Sequence, residues 1–150
     1  NQVLPFNLAP RVAGVLAARG SEHALVVHGS DRLDEITTTD STRIYEVRDG
    51  DVIGETEFAP ESVGLRRVNR AEIQGGTPED NVRIMHELFA GTDTGPRADI
   101  VAVNAAAGLL VAGIVEDMEA GLEAAKAVMT DGQAAAKVEA VVNLSKEIAG

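Results

Sequence analysis

Ala24-Leu25-Val26-Val27-His28-Gly29-Ser30-Asp31-Arg32-Leu33-Asp34-Glu35-Ile36-Thr37 is the stretch whose reading decides the fold. A short apolar run stops at His-Gly, a polar loop follows, and two adjacent carboxylates arrive just before a threonine run. Such a run, bounded by turn residues, suits a buried strand. Loops at the carboxyl ends of strands in open α/β sheets are where these folds bind ligands. Asp34 and Glu35 are hard oxygen donors at that point, suited to Mg²⁺ and a phosphorylated substrate.

Working outward, Leu8 to Arg19 has helical spacing in Leu8, Val12, Val15 and Leu16, with Gly20 as its stop. A strand over His23 to His28 follows. Thr42 to Arg48 and Val52 to Phe58 read as two strands joined at Asp49-Gly50, a dipeptide suited to a tight hairpin. Pro60 ends the second of them, and Glu61 to Gln74 shows no clear period. Thr77 is an N-cap, Pro78 takes the first helical position, and Glu79 and Asp80 complement the helix dipole. Val82, Met85, Leu88 and Phe89 supply that helix with an apolar face, and Gly91 stops it. Asp99 to Val103 reads as a second buried strand, with Asn104 turning it into a helix from Ala105 to about Gly113. Helices over Asp117 to about Met129 and Gly132 to about Ile148 complete the chain. The expected class is α/β: a mixed sheet with a β-hairpin, flanked by helices, in one domain over 1–150. Two core strands and a hairpin make a thin sheet for that architecture.

Composition narrows the function classes. At 150 residues the chain is long enough for one real core and too short to expect two. Aromatics are 3% of residues, so the core is built from Ala, Val, Leu and Ile. The formal net charge of -11 argues against a nucleic-acid surface and favours a metal ion between the chain and any polyanionic ligand. There is no cysteine, hence no disulfide framework and no thiolate chemistry, which suits a cytoplasmic location. Asn1 to Phe6 lacks the pattern of a signal peptide, and the apolar window Ile100 to Val115 is too interrupted to span a bilayer, so no membrane is expected.

Each candidate site has a bland alternative. An Asp-Glu pair is common on solvated faces, and only the strand-end setting raises Asp34 and Glu35 above that. His28 either donates to a ligand or closes the strand structurally, the commoner fate of a lone histidine. Thr37-Thr38-Thr39 reads as β-branched residues entering the hairpin. Gly75-Gly76 precedes a helix N-terminus, yet Glu79 and Asp80 oppose an anion there, so a flexible turn is expected. Arg66, Arg67 and Arg70 form a basic cluster that reads as a solvated face. Asn104 reads as the cap of Ala105-Ala106-Ala107, whose small side chains permit close packing of that helix on the sheet. No P-loop, dinucleotide fingerprint or catalytic triad is present, and His86 has no partner in sequence.

Taken in order, these residues resemble the second half of anthranilate phosphoribosyltransferase. The resemblance is carried by Ala24 to Gly29 with Leu33-Asp34-Glu35-Ile36-Thr37, then Gly75-Gly76 with Glu79-Asp80-Asn81. Leu88 to Gly91, Asn104 to Ala107 and Glu119-Ala120-Gly121 with Ala124 and Ala125 continue it, and Leu8-Ala9-Pro10 fits its opening. Any one motif is weak; five in order are specific. The resemblance implies a phosphoribosyltransferase-like or nucleoside-phosphorylase-like α/β domain. It also implies transfer of phosphoribosyl from phosphoribosyl pyrophosphate to anthranilate in tryptophan biosynthesis, with Mg²⁺ held by Asp34 and Glu35. Substrate contact falls at His28 and Gly29.

Two departures bear on this. Arg32 stands where the family usually has glycine, and a positive φ there strains the loop. The family's Gly-Thr-Gly-Gly-Asp and Lys-His-Gly-Asn segments do not occur, and Pro5-Phe6 replaces a glycine-containing turn. The expectation is a fragment inactive alone, needing a complementing N-terminal half. The alternative is a non-catalytic module that self-associates through a bare sheet edge. A nucleoside phosphorylase relative fits the same motifs less well.

Overall fold

The computed structural model describes residues 8–150. Its elements in chain order are α1 (Ala9–Ala18), β1 (His23–Gly29), β2 (Thr42–Arg48), β3 (Asp51–Phe58), α2 (Pro78–Phe89), α3 (Pro96–Val111), α4 (Met118–Thr130) and α5 (Gln133–Ala149). The readings made on Asn1 to Phe6 lie outside the described residues.

The sheet has the order β1-β2-β3, and both pairings are antiparallel. Asp49 and Gly50 turn the hairpin with φ of 52° and 82°, the left-handed pair that a two-residue connection demands. Side-chain alternation then assigns the two faces. Ala24 and Val26 of β1, with Tyr45 and Val47 of β2, pack against Ala9, Ala13 and Leu16 of α1. Leu25, Val27 and Ile44 face the other way, into the main core with Phe58, Leu65, Leu88, Val103 and Leu122. The molecule is thus three layers, with α1 on one side of the sheet and the remaining helices on the other.

Alanine and glycine let α3 and α4 approach closely. A Cβ on Gly121 would lie 3.0 Å from both the Cβ and the carbonyl oxygen of Ala106. The small residues of the alanine run therefore serve a helix–helix contact as well as the core beside the sheet.

The expected strand Asp99 to Val103 is instead the first half of α3. Pro96 sits in the opening turn after Gly95, and the helix runs unbroken to Val111. A short apolar run cannot be told from a buried helix by its period alone. Here Ala98, Ala102 and Ala106 share one buried face at helical spacing. Without that strand no parallel pair forms among the described residues, so their sheet is antiparallel rather than mixed. The α/β class, the hairpin and the flanking helices stand as expected. Asn104 consequently lies inside a helix and caps nothing.

The undecided segment after Pro60 forms two single 3₁₀ turns, Pro60–Val63 and Arg70–Glu72. Among the described residues, no helix is long and apolar enough to cross a membrane.

Candidate functional site

The site is a loop launched from the end of β1. The Arg32 N–H donates to the Gly29 carbonyl and the Gly29 N–H to the Leu33 carbonyl, each at 2.9 Å, so the chain doubles back within five residues. Asp31 organises the interior of this loop. Its Oδ1 accepts the Leu33 N–H at 3.2 Å, and its Oδ2 accepts the Thr37 hydroxyl at 2.9 Å and the Thr39 hydroxyl. The Thr37 N–H donates to Thr42 Oγ1 at 3.0 Å, tying the loop to the start of β2. Burial alone pushes the Asp31 carboxyl up. The hydrogen bonds from Thr39, Leu33 and Thr37 outweigh it and hold the group below the ordinary aspartate value. The threonines expected to lead into the hairpin are in fact the inner wall of this loop.

Glycine at 29 is required by space. A Cβ there would fall 2.5 Å from Asp31 Oδ1 and 3.3 Å from the Leu33 carbonyl. Position 32 calls for glycine by conformation, since Arg32 has φ of 73°. Left-handed backbone costs a residue with a Cβ roughly 1–2 kcal/mol, so this chain carries strain next to its acidic pair.

Asp34 and Glu35 occupy the outer side of the loop, and both are exposed. Neither forms an ion pair among the described residues, where salt bridges occupy many of the other acids. Glu35 is raised above the ordinary glutamate value, first by partial burial and then by the negative charges of Asp34 and Asp31. Two free hard-oxygen donors in a locally anionic setting fit a divalent cation. Among the described residues no third carboxylate or histidine joins them. That number suits Mg²⁺, which keeps much of its shell for water and phosphate oxygens.

Glu35 also lines a cavity of about 410 Å³ together with Leu33, Arg70, Ile73 and Ile100. Within the arginine cluster, Arg66 pairs with Glu72, and Arg67 with Glu61 and Asp40. Arg70 is the member that faces the cavity. At the cavity wall, the Gly75-Gly76 turn is hydrogen-bonded to Asn81. Asn81 accepts the Gly76 N–H at 2.9 Å, and a Cβ on Gly75 would meet the same Oδ1 at 2.5 Å. Thr77 caps α2 as expected, with Asp80 completing the reciprocal capping box.

His28 and Gly29 are buried at the end of β1, below 9% exposure in each case. They adjoin the loop, whereas His86 lies on α2, remote in the chain from it. Two residues that hold the loop escaped the sequence reading. Asp31 carried a local signal, because an aspartate bonding the backbone two residues on is a common turn device. Asn104 carried none: its Oδ1 accepts the Ile36 N–H at 2.9 Å and its Nδ2 donates to the Ile36 carbonyl at 2.8 Å.

Comparison with known proteins gives the family of the chain. Residues 2–135 match the model of the glycosyl transferase family, a/b domain. The anthranilate phosphoribosyltransferase of Acetivibrio thermocellus is 40% identical over 93% of this chain and 40% of its own length. That of Phenylobacterium zucineum is 46% identical over 89% of this chain and 39% of its own length. The crystal structure of the Thermus thermophilus enzyme superposes with a TM-score of 0.83 at 32% identity, covering 93% of this chain and 40% of that one. The Saccharomyces cerevisiae enzyme in complex with phosphoribosyl pyrophosphate and Mg gives a TM-score of 0.80 at 23% identity, covering 90% of this chain and 39% of that one, a likeness of fold. The chain spans about two fifths of the length of the relatives it matches.

Proposed function

The chain belongs to the glycosyl transferase family, a/b domain, and from that premise we propose that it is the cation-binding part of an anthranilate phosphoribosyltransferase acting in tryptophan biosynthesis. The observation that carries this reading is the acidic pair. Asp34 and Glu35 project from a loop whose backbone is held at Asp31 and at Ile36, and among the described residues neither carboxylate is in an ion pair.

In the proposed reaction the amine nitrogen of anthranilate bonds to the anomeric carbon of phosphoribosyl pyrophosphate. The bond from that carbon to the pyrophosphate oxygen breaks, and the amine gives up a proton. Asp34 and Glu35 would hold Mg²⁺, which when bound would supply neutralisation of the charge that develops on the departing pyrophosphate. The chain's own contribution is positional. Asp31 and its threonines hold the loop rigid, His28 and Gly29 set the strand end from which it starts, and the cavity bounded by Glu35 and Arg70 offers room for the diphosphate. We place the protein in the cytoplasm, where a cysteine-free chain and a soluble phosphorylated substrate are at home.

The 150 residues lack a Gly-Thr-Gly-Gly-Asp phosphate loop, and we expect no turnover from them alone. The test is an amide NMR titration of the isotope-labelled chain with Mg²⁺ and phosphoribosyl pyrophosphate. Saturable shifts confined to residues 28–37 support the reading; a folded spectrum indifferent to both overturns it. Formation of phosphoribosylanthranilate by the purified chain overturns the expectation of inactivity.

A second reading rests on the sheet edges. Among the described residues β1 and β3 each pair on one side only, and Val52 and Ile53 of β3 are about half exposed. A non-catalytic module that self-associates through these edges predicts a molecular mass that rises with concentration in sedimentation equilibrium. A monomer that binds the Mg²⁺-diphosphate counts against it.

A further inference from the structure

Ile36 is fully buried, so its peptide N–H and carbonyl both need a partner within the protein. The N–H belongs to the peptide plane that joins Glu35 to Ile36, and the carbonyl to the next plane along. Asn104 satisfies both, at 2.9 and 2.8 Å, as a neighbouring strand would. Its remaining donor bond goes to the Ile100 carbonyl, one turn back along α3, at 2.9 Å. That third bond fixes the side chain against its own helix, so the clamp is rigid at both ends. A primary amide is suited to this: aspartate lacks the donor, leucine lacks both groups, and glutamine is one methylene too long.

Because the peptide plane is stiff, holding the Ile36 N–H also sets the carbonyl and Cα of Glu35. Asp34 and Glu35 have no ion pair to hold them among the described residues. Their backbone is therefore oriented by Asp31 on the preceding side and by Asn104 on the following side. We infer that Asn104 is a positioning residue for the Glu35 carboxylate, making α3 a structural part of the cation site. The inference rests on the reading of Asp34 and Glu35 as cation ligands.

Mn²⁺ is the probe, added to the isotope-labelled 150-residue chain and read by paramagnetic broadening of individual amides. The wild-type chain is expected to show saturable broadening centred on residues 33–37 that weakens in Glu35→Gln. In Asn104→Ala the spectrum stays dispersed while the Kd for Mn²⁺ at the loop rises about tenfold or more, the usual size of an outer-sphere effect. Adding Glu35→Gln to Asn104→Ala then changes little, because the two act on one ligand. An unchanged Kd in Asn104→Ala, or independent effects of the two substitutions, overturns the positioning role alone. Absence of site-specific broadening in the wild type overturns the cation reading and this inference with it. Where Asn104→Ala fails to fold, the wild-type side-chain amide protons decide the matter in a Mg²⁺ titration. Those of Asn104 are expected to shift with the same Kd as the Glu35 amide, while those of the exposed Asn143 stay put. A stationary Asn104 pair overturns the inference.

Discussion

Asn104 reaches across 68 residues of sequence to hold Ile36 by both its N–H and its carbonyl. The contact joins the middle of α3 to the residue directly after the acidic pair. Its two bonds are also the only side-chain hydrogen bonds found between that helix and the loop among the described residues. Removing it leaves two buried peptide groups of Ile36 without partners, each worth about 1–3 kcal/mol. Asn104→Ala is expected to lower the unfolding free energy by about 2–6 kcal/mol, measured by urea denaturation. Asn104→Asp keeps an acceptor for the Ile36 N–H but turns a carboxylate oxygen toward the Ile36 and Ile100 carbonyls, so at neutral pH it is expected to be no more stable than Asn104→Ala.

Arg32 is the position where substitution should improve the protein. Its φ of 73° favours glycine, and the arginine side chain is exposed. Arg32→Gly relieves the left-handed strain at the expense of extra freedom in the unfolded chain, for a net gain of about 0.5–1 kcal/mol. Arg32→Ala retains the strained Cβ and should match wild type. A urea midpoint for Arg32→Gly at or below that of Arg32→Ala would show that the loop is content with a side chain there.

Asp31 makes stability depend on acid pH. Its folded-state value is depressed by the hydrogen bonds it accepts, so its contribution is fully present above the ordinary aspartate value of 3.8. The contribution is lost as pH falls from there through the depressed value. Asp31→Asn should be less stable than wild type at neutral pH, and the two unfolding curves should converge in that acid window. Parallel curves from neutral to acid pH would mean that the charge of Asp31 adds nothing to its hydrogen bonds.

Gly29 and Gly121 test space in two different ways. At Gly29 a methyl group meets the Asp31 carboxylate at 2.5 Å, an atom of a short side chain already held by three donors. Gly29→Ala should therefore displace Asp31 and be read as shifted amides across residues 29–39, with the helices unaffected. At Gly121 the obstacle is the Ala106 backbone carbonyl at 3.0 Å. Gly121→Ala should push α4 away from α3 and cost about 1–3 kcal/mol in a thermal melt, the usual range for overpacking.

Most secondary structure was readable because its signals are local. Thr77 and Pro78 mark the start of α2, Asp49-Gly50 marks the hairpin, and β2 ends where its pattern ends. The acidic pair was readable for the same reason, as adjacent residues after a strand. The failure at Asp99 to Val103 came where local signal is ambiguous. Four apolar residues in a row satisfy either period, and the close contact of Ala106 with Gly121 favours a helix that only the folded partner reveals. With that segment as a strand, Asn104 reads only as a cap.

The amino-acid sequence by itself determined the elements outside Asp99 to Val103, the strand that ends at His28-Gly29, the place of the acidic pair after it and the kinship carried by its motifs. Each depends on residues within a few positions of one another, and short-range sterics and hydrogen bonding act at that distance. Tertiary structure alone decided that the sheet is antiparallel, that Arg70 rather than its neighbours shares a cavity with Glu35, and that Asn104 holds Ile36. Those outcomes depend on which distant groups packing brings within hydrogen-bond reach, and a buried peptide group takes its partner from wherever the fold places one.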